Sequence, residues 1–122
     1  MEGVVVEAEV VSGNRLGRKL GFPTANMSIS EHTEIENGVY RSTITVDGVE
    51  YQAMSNAGVR PSVDGKGRWL ETHIFDFHGD LYGKVLRVQL LEKIRNERKF
   101  SSVAELRAQL EHDMEYCKEK VK

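Results

Sequence analysis

Apolar residues recur mainly at every second position up to about residue 100, and at every third or fourth position beyond it. The first pattern is that of strands with one buried face, the second that of an amphipathic helix. Val4 to Val11 is rich in β-branched residues and predicts a first strand. From Gly38 to Met54, Tyr40, Ile44 and Val46 share one face with Ser42 between them. Asp47-Gly48 then supplies a primed turn, and Val49, Tyr51 and Ala53 resume the alternation, which predicts a hairpin. A second pair is expected from Trp69 to Phe77, a turn at His78-Gly79-Asp80, and a long strand from Leu81 to about Ile94. In that strand Leu86, Val88 and Leu90 alternate with Arg87 and Gln89, so one face should be buried.

Between these runs, Ser28 to Asn37 is polar and aperiodic and reads as a surface loop. Asn56 to Arg68 is rich in glycine and charge and reads as a mobile loop, expected with the Gly13–Gly21 stretch to close over substrates. Val103, Leu106, Leu110, Met114, Cys117 and Val121 form one stripe at helical spacing. Ser102 and Glu105 match a capping box, and Lys118, Lys120 and Lys122 complement the dipole at the far end. The whole predicts an all-β-dominated fold in a single domain over residues 1–122. A closed, six-stranded antiparallel Greek-key barrel takes up about residues 3–95 and a long C-terminal helix about 102–120.

Composition narrows the class without naming a task. A chain of 122 residues fits one domain and can bury roughly two-thirds of its unfolded surface, enough for a core without staples. Seventeen Lys and Arg against 19 Asp and Glu give a net charge of −2, which argues against a module that binds nucleic acid by neutralising phosphates. The apolar runs are too short for a transmembrane helix, and Met1-Glu2-Gly3 does not open a secretory signal. Cys117 is alone, which excludes an internal disulfide and a cysteine-based zinc site. A cytoplasmic monomer is the expectation.

Four segments could carry chemistry. Gly13-Asn14-Arg15-Leu16-Gly17-Arg18-Lys19-Leu20-Gly21 follows a strand and combines backbone freedom with positive charge, which suits a polyphosphate. It lacks the Gly-Lys-Ser/Thr of a Walker loop, and taken alone it suits a flexible, basic hairpin turn better. Phe22-Pro23-Thr24-Ala25-Asn26 is restrained by its proline, so the Thr24 hydroxyl and Asn26 amide oxygen could face one hard cation such as magnesium; the same residues also make ordinary turns. On a strand, Glu71, His73, Phe75 and Phe77 point to one side. A carboxylate among aromatics there is either a general-base candidate or an exposed edge residue, and His73 reads as structural. Finally, Arg95-Asn96-Glu97-Arg98-Lys99-Phe100 could frame a flat heterocycle, or be a solvated charge run with Phe100 anchoring the helix.

Order joins these segments. The Gly-rich stretch, Phe22-Pro23-Thr24-Ala25-Asn26, Gly38-Val39-Tyr40, Asn56-x-Gly58-x-x-Pro61, Glu71-x-His73-x-x-Asp76-Phe77, Asp80-Leu81-Tyr82-Gly83 and Arg95-x-Glu97-x-x-Phe100 together resemble the riboflavin kinase family, which includes the kinase module of bacterial bifunctional FAD synthetases. The resemblance implies a six-stranded barrel with a C-terminal helix, and transfer of the γ-phosphoryl of ATP to the 5′-hydroxyl of riboflavin, giving FMN and ADP. By it Thr24 and Asn26 would hold magnesium with the nucleotide, and Gly13 and Arg18 would wrap its phosphates. Ile74, Asp76 and Tyr82 would lie near the nucleotide, Glu71 would be the catalytic carboxylate, and Arg95, Arg98 and Phe100 would contact the flavin.

Two departures stand out. Ser62 replaces the family's usual Thr after Pro61, and the chain has no His-x-Gly-His motif, so conversion of FMN to FAD is not expected. A flavin-binding barrel without catalysis is the competing expectation, although a pure binder has no use for Thr24, Asn26 and Glu71 together. An oligonucleotide-binding barrel would want a basic face with stacked aromatics, which a net charge of −2 disfavours.

Overall fold

The computed structural model describes residues 4–12, 24–30, 34–62, 65–77, 79 and 81–119. Six strands and one helix account for most of them: β1 (Val4–Ser12), β2 (Thr24–Ile29), β3 (Gly38–Val46), β4 (Val49–Ser62), β5 (Gly65–Ile74), β6 (Val85–Arg95) and α1 (Val103–Glu119). The strands close into a barrel in the order β1-β2-β5-β4-β3-β6, every neighbour antiparallel. Strands β3, β4 and β5 form a meander, and β6 returns to lie beside β3. That is the Greek-key connection expected from the sequence.

Alternation decides which side chains fill the barrel. Val6, Val10, Ala25, Met27, Tyr40, Ile44, Leu70, Ile74, Val88 and Leu90 are buried in a single cluster. In β6, Leu86, Val88 and Leu90 are buried between exposed Val85, Arg87 and Gln89. Three hydroxyls share this interior: Ser55 Oγ lies 2.8 Å from both Ser42 Oγ and Thr72 Oγ1, and all three residues are fully buried. Each satisfies its neighbour, so polar atoms are tolerated inside.

The Asp47-Gly48 turn forms as expected, with positive φ at both residues (49° and 81°). Elsewhere the chain departs from the sequence reading. Residues 56–62 and 65–68 are strand rather than loop: β4 runs on to Ser62 and β5 begins at Gly65, paired from Ala53↔Ile74 to Ser62↔Gly65, while residues 63 and 64 lie outside the described residues. Glycine and Pro61 lower strand propensity there, but a continuous ladder overrides it. Ser28 and Ile29 belong to β2, opposite Trp69 and Arg68, rather than to a loop. The expected second hairpin does not form either. Strand β5 ends at Ile74 and pairs with β2 and β4, Asp76 takes a left-handed φ of 56°, and β6 begins only at Val85. That break sends Phe75 and Phe77 different ways. Phe75 packs under α1, whereas Phe77 turns to the barrel cluster, edge-on to Tyr51 at 5.1 Å.

Helix α1 lies across the outside of the barrel. Leu110 and Cys117, with Leu106 and Met114, pack on Met54, Phe75 and Ile94. Ser102 Oγ accepts the Glu105 amide at 3.1 Å, as a capping residue should. Val103 is 56% exposed, so the buried stripe starts one turn later than expected; Val121 lies outside the described residues.

Candidate active site

Odd-numbered positions of β5 face outward, because Leu70, Thr72 and Ile74 face the barrel. Register then sets their neighbours. Asn26 on β2 stands opposite Glu71, and Thr24 stands opposite His73. On the other side of β5, Asn56 of β4 stands opposite Glu71 and Met54 opposite His73. Residues remote in the chain therefore share one outer patch, flanked by α1 where that helix packs on Met54. Glu71 keeps 17% of its side chain exposed, and its Oε1 lies 3.2 Å from Nε2 of buried His73. The imidazole thus supports one edge of a carboxylate that is largely, but not wholly, withdrawn from solvent.

The same row continues around the barrel. Asn56 pairs with Val39, and Val39 with Arg95, so Asn26, Glu71, Asn56, Val39 and Arg95 lie on five successive strands. Arg95 is held by Asp113 of α1: Nε donates at 3.2 and 3.1 Å and Nη2 at 2.8 Å to the carboxylate, while Nη1 reaches the Asn96 carbonyl at 3.1 Å. Gln109 Nε2 also donates to Asp113 at 2.9 Å. Arg98 donates to Gln109 and Glu105. The guanidinium carbons of Arg95 and Arg98 lie 6.0 and 5.2 Å from the Phe100 ring centre. One cation–aromatic group, tied to the helix, stands three strands away from the carboxylate.

The other sequence candidates are placed less centrally. Ile74 is buried in the barrel cluster, so its side chain faces away from the outer patch. Asp76 is largely exposed, with Lys118 Nζ 3.9 Å from its carboxylate. Tyr82 is exposed in the turn before β6, where the Gly83 amide bonds to the Val10 carbonyl. Gly13 and Arg18 lie outside the described residues, but the segment that carries them leaves at Ser12, opposite Asn26, and returns at Thr24. Among the described residues no cluster of three or more His, Cys, Asp or Glu could hold a metal. No helix among them is long and apolar enough to cross a membrane.

A family model for riboflavin kinase (Flavokinase) matches residues 2–121. The chain belongs to the riboflavin kinase family. It is 40% identical over 110 residues to a bifunctional riboflavin kinase/FMN adenylyltransferase of Haemophilus influenzae, covering 89% of this chain and 36% of that protein. It is 41% identical over 111 residues to an RNA-binding riboflavin kinase of Bacillus subtilis, covering 90% and 48%. A crystal structure named as a macrolide-efflux protein from Streptococcus pneumoniae superposes with a TM-score of 0.84 at 36% identity, covering 95% of this chain and 38% of that one. The chain therefore spans between a third and a half of the curated relatives it matches. The family's barrel and its C-terminal helix are both present here.

Asn56 beside Glu71, and Gln109 and Asp113 around Arg95, are neighbours of the candidate residues that the sequence does not single out. Asp113 was detectable: a carboxylate three after Leu110 and four before Cys117 sits in the apolar stripe, and a buried acid needs a partner. Asn56 was visible in its motif, but nothing in the chain alone reveals which strand it faces.

Proposed function

We propose that this chain transfers the γ-phosphoryl group of ATP to the 5′-hydroxyl of riboflavin, giving FMN and ADP. The observation that carries the reading is the β2–β5–β4 register, which sets Thr24 and Asn26 against Glu71 and His73 on one face. In this reaction the 5′-oxygen bonds to the γ-phosphorus, the bond to the β-phosphate oxygen breaks, and the hydroxyl proton passes to Glu71. Phosphoryl transfer has a loose transition state, so positioning and charge neutralisation supply most of the acceleration. Glu71 orients the attacking oxygen and takes its proton, and His73 fixes the rotamer of that carboxylate.

Thr24 and Asn26 lie two residues apart on β2 and carry neutral oxygen donors, which fits magnesium that arrives with phosphate oxygens and water. Bound there, magnesium would neutralise charge on the β- and γ-phosphates. Arg18 and the amides around Gly13 would wrap the phosphates, while Asp76, Tyr82 and the backbone at Ile74 border the nucleotide. Arg95, Arg98 and Phe100 would hold the flavin ring.

Incubation with riboflavin, magnesium and each nucleoside triphosphate in turn, followed by chromatography, tests the proposal. FMN should form, with ATP as the preferred donor. Tight flavin binding with no FMN from any triphosphate would instead establish a flavin-binding barrel.

A further inference from the structure

The Asn56 amide oxygen is buried and accepts no hydrogen bond from the described residues. A buried acceptor left without a donor is costly, and folds retain such atoms where something else supplies the donor. Asn56 lies one strand from Glu71 and two from Arg95 in the same row, with Val39, only 4% exposed, between it and Arg95. At about 4.8 Å per strand, Glu71 and Arg95 stand roughly 14 Å apart along the surface. Under the function proposed above, on which this inference rests, the reacting hydroxyl sits at Glu71 and the ring at Arg95 and Phe100. The polyhydroxylated chain joining them must then cross Asn56 and Val39.

We infer that Asn56 is a specificity residue whose Oδ1 accepts a hydrogen bond from a secondary hydroxyl of the ribityl chain, with Val39 as the apolar floor beside it. A hydroxyl fits because the orphan atom is purely an acceptor, and a chain hydroxyl can give it its one O–H donor while still accepting from other groups through its lone pairs. The contact separates polyol-bearing flavins from ring analogues that lack the chain, since a site built for a hydroxyl penalises its absence.

The test compares riboflavin with lumiflavin, which has the same ring system and a methyl group in place of the chain. Asn56→Ala should weaken riboflavin binding about five- to tenfold and leave lumiflavin binding unchanged. Its melting temperature should hold or rise, because an unsatisfied buried atom has been removed. In the wild type, one of the 2′-, 3′- and 4′-deoxyriboflavins should bind about five- to tenfold more weakly than riboflavin, and in Asn56→Ala that difference should vanish. Equal losses for riboflavin and lumiflavin, no loss for either, or a change confined to the magnesium requirement would each overturn the assignment. Should Asn56→Ala not fold, the wild-type deoxy series decides alone: three analogues that bind like riboflavin sink the inference. A wild type that makes FMN while Asn56→Ala binds riboflavin normally refutes this contact and spares the kinase reading; a wild type that neither binds nor phosphorylates riboflavin removes both.

Discussion

Asp113 grips the Arg95 guanidinium with both carboxylate oxygens, the shortest contact being 2.8 Å, although the two residues belong to different layers of the fold. Asp113 is 3% exposed and Arg95 a fifth exposed, so the pair is largely withdrawn from water. Arg95 closes the last strand and Asp113 sits mid-helix. One ion pair therefore docks α1 on the barrel and sets the direction of a guanidinium beside Phe100.

Breaking such a pair from one side leaves an uncompensated buried charge, which costs about 3–5 kcal/mol when burial is complete. Partial exposure of Arg95 lowers this, so Arg95→Ala should destabilise the fold by about 2–3 kcal/mol in urea unfolding, because Asp113 then keeps the neutral Gln109 amide but loses its cation. Asp113→Asn, added to Arg95→Ala, should recover part of the loss. Additive effects of the two substitutions would show that the pair is not coupled. Asp113→Asn alone should also weaken flavin binding, through loss of guanidinium alignment rather than loss of a ligand contact.

Glu71→Gln keeps the shape of the carboxylate and its place opposite Asn26, but cannot accept the hydroxyl proton. Turnover should fall about 10²–10⁴-fold while riboflavin and nucleotide affinities change little. Near-normal turnover would remove Glu71 from the proton path.

Alternation and turn chemistry made the barrel legible. Tyr40, Ile44 and Val46 before Asp47-Gly48, and Leu86, Val88 and Leu90 in β6, announced their strands and buried faces from the chain alone. Local chemistry could not show pairing between distant strands. Nothing in Trp69–Phe77 says that its partners are Thr24–Ile29 and Ala53–Ser62 instead of the following strand, because both choices bury the same face. The site was legible as residue types in order, yet its geometry depends on that non-local register. Hence Asn56 reads as the start of a loop from the chain alone, and alternation puts Phe77 on the face of Glu71, whereas the left-handed Asp76 redirects it to the barrel cluster.

Ser55 is the middle member of the interior hydroxyl chain, bonded to both Ser42 and Thr72. Ser55→Ala deprives two buried hydroxyls of a partner and should cost about 1–3 kcal/mol. Replacing the whole set, as Ser42→Ala, Ser55→Ala and Thr72→Val together, removes every orphan and should cost less than the single change. Thermal unfolding of the two variants decides the matter. A triple variant that melts well below Ser55→Ala would mean that these hydroxyls stabilise by more than mutual satisfaction.

Gly38 opens β3 at φ +149°, and a Cβ there would lie 2.8 Å from the Arg95 carbonyl oxygen and 2.7 Å from Lys93 Cε. The lysine tip can move, but the backbone oxygen cannot without dragging the end of β6. Gly38→Ala should cost about 1–3 kcal/mol and also weaken flavin binding, since Arg95 starts from the displaced backbone. A wild-type melting temperature for this variant would show that the strand end yields freely.

Cys117 is 1% exposed under the barrel-facing side of α1, and burial, reinforced by nearby Asp113, pushes its thiol from about 9 up to about 12. A folded-state value above the unfolded one means that the native chain holds its proton longer. Stability from this group is therefore fully present below about pH 9 and drains away as pH rises towards about 12. Tyr40 and Tyr116, also raised, add similar losses only above their ordinary value of 10. Between pH 9 and 10 the thiol should dominate the difference between wild type and Cys117→Ala. The variant should be less stable at neutral pH, from lost packing, yet its unfolding free energy should fall less steeply across that interval. Parallel curves for the two proteins would show that the thiol titrates alike in folded and unfolded chains, and that burial at position 117 imposes no proton linkage.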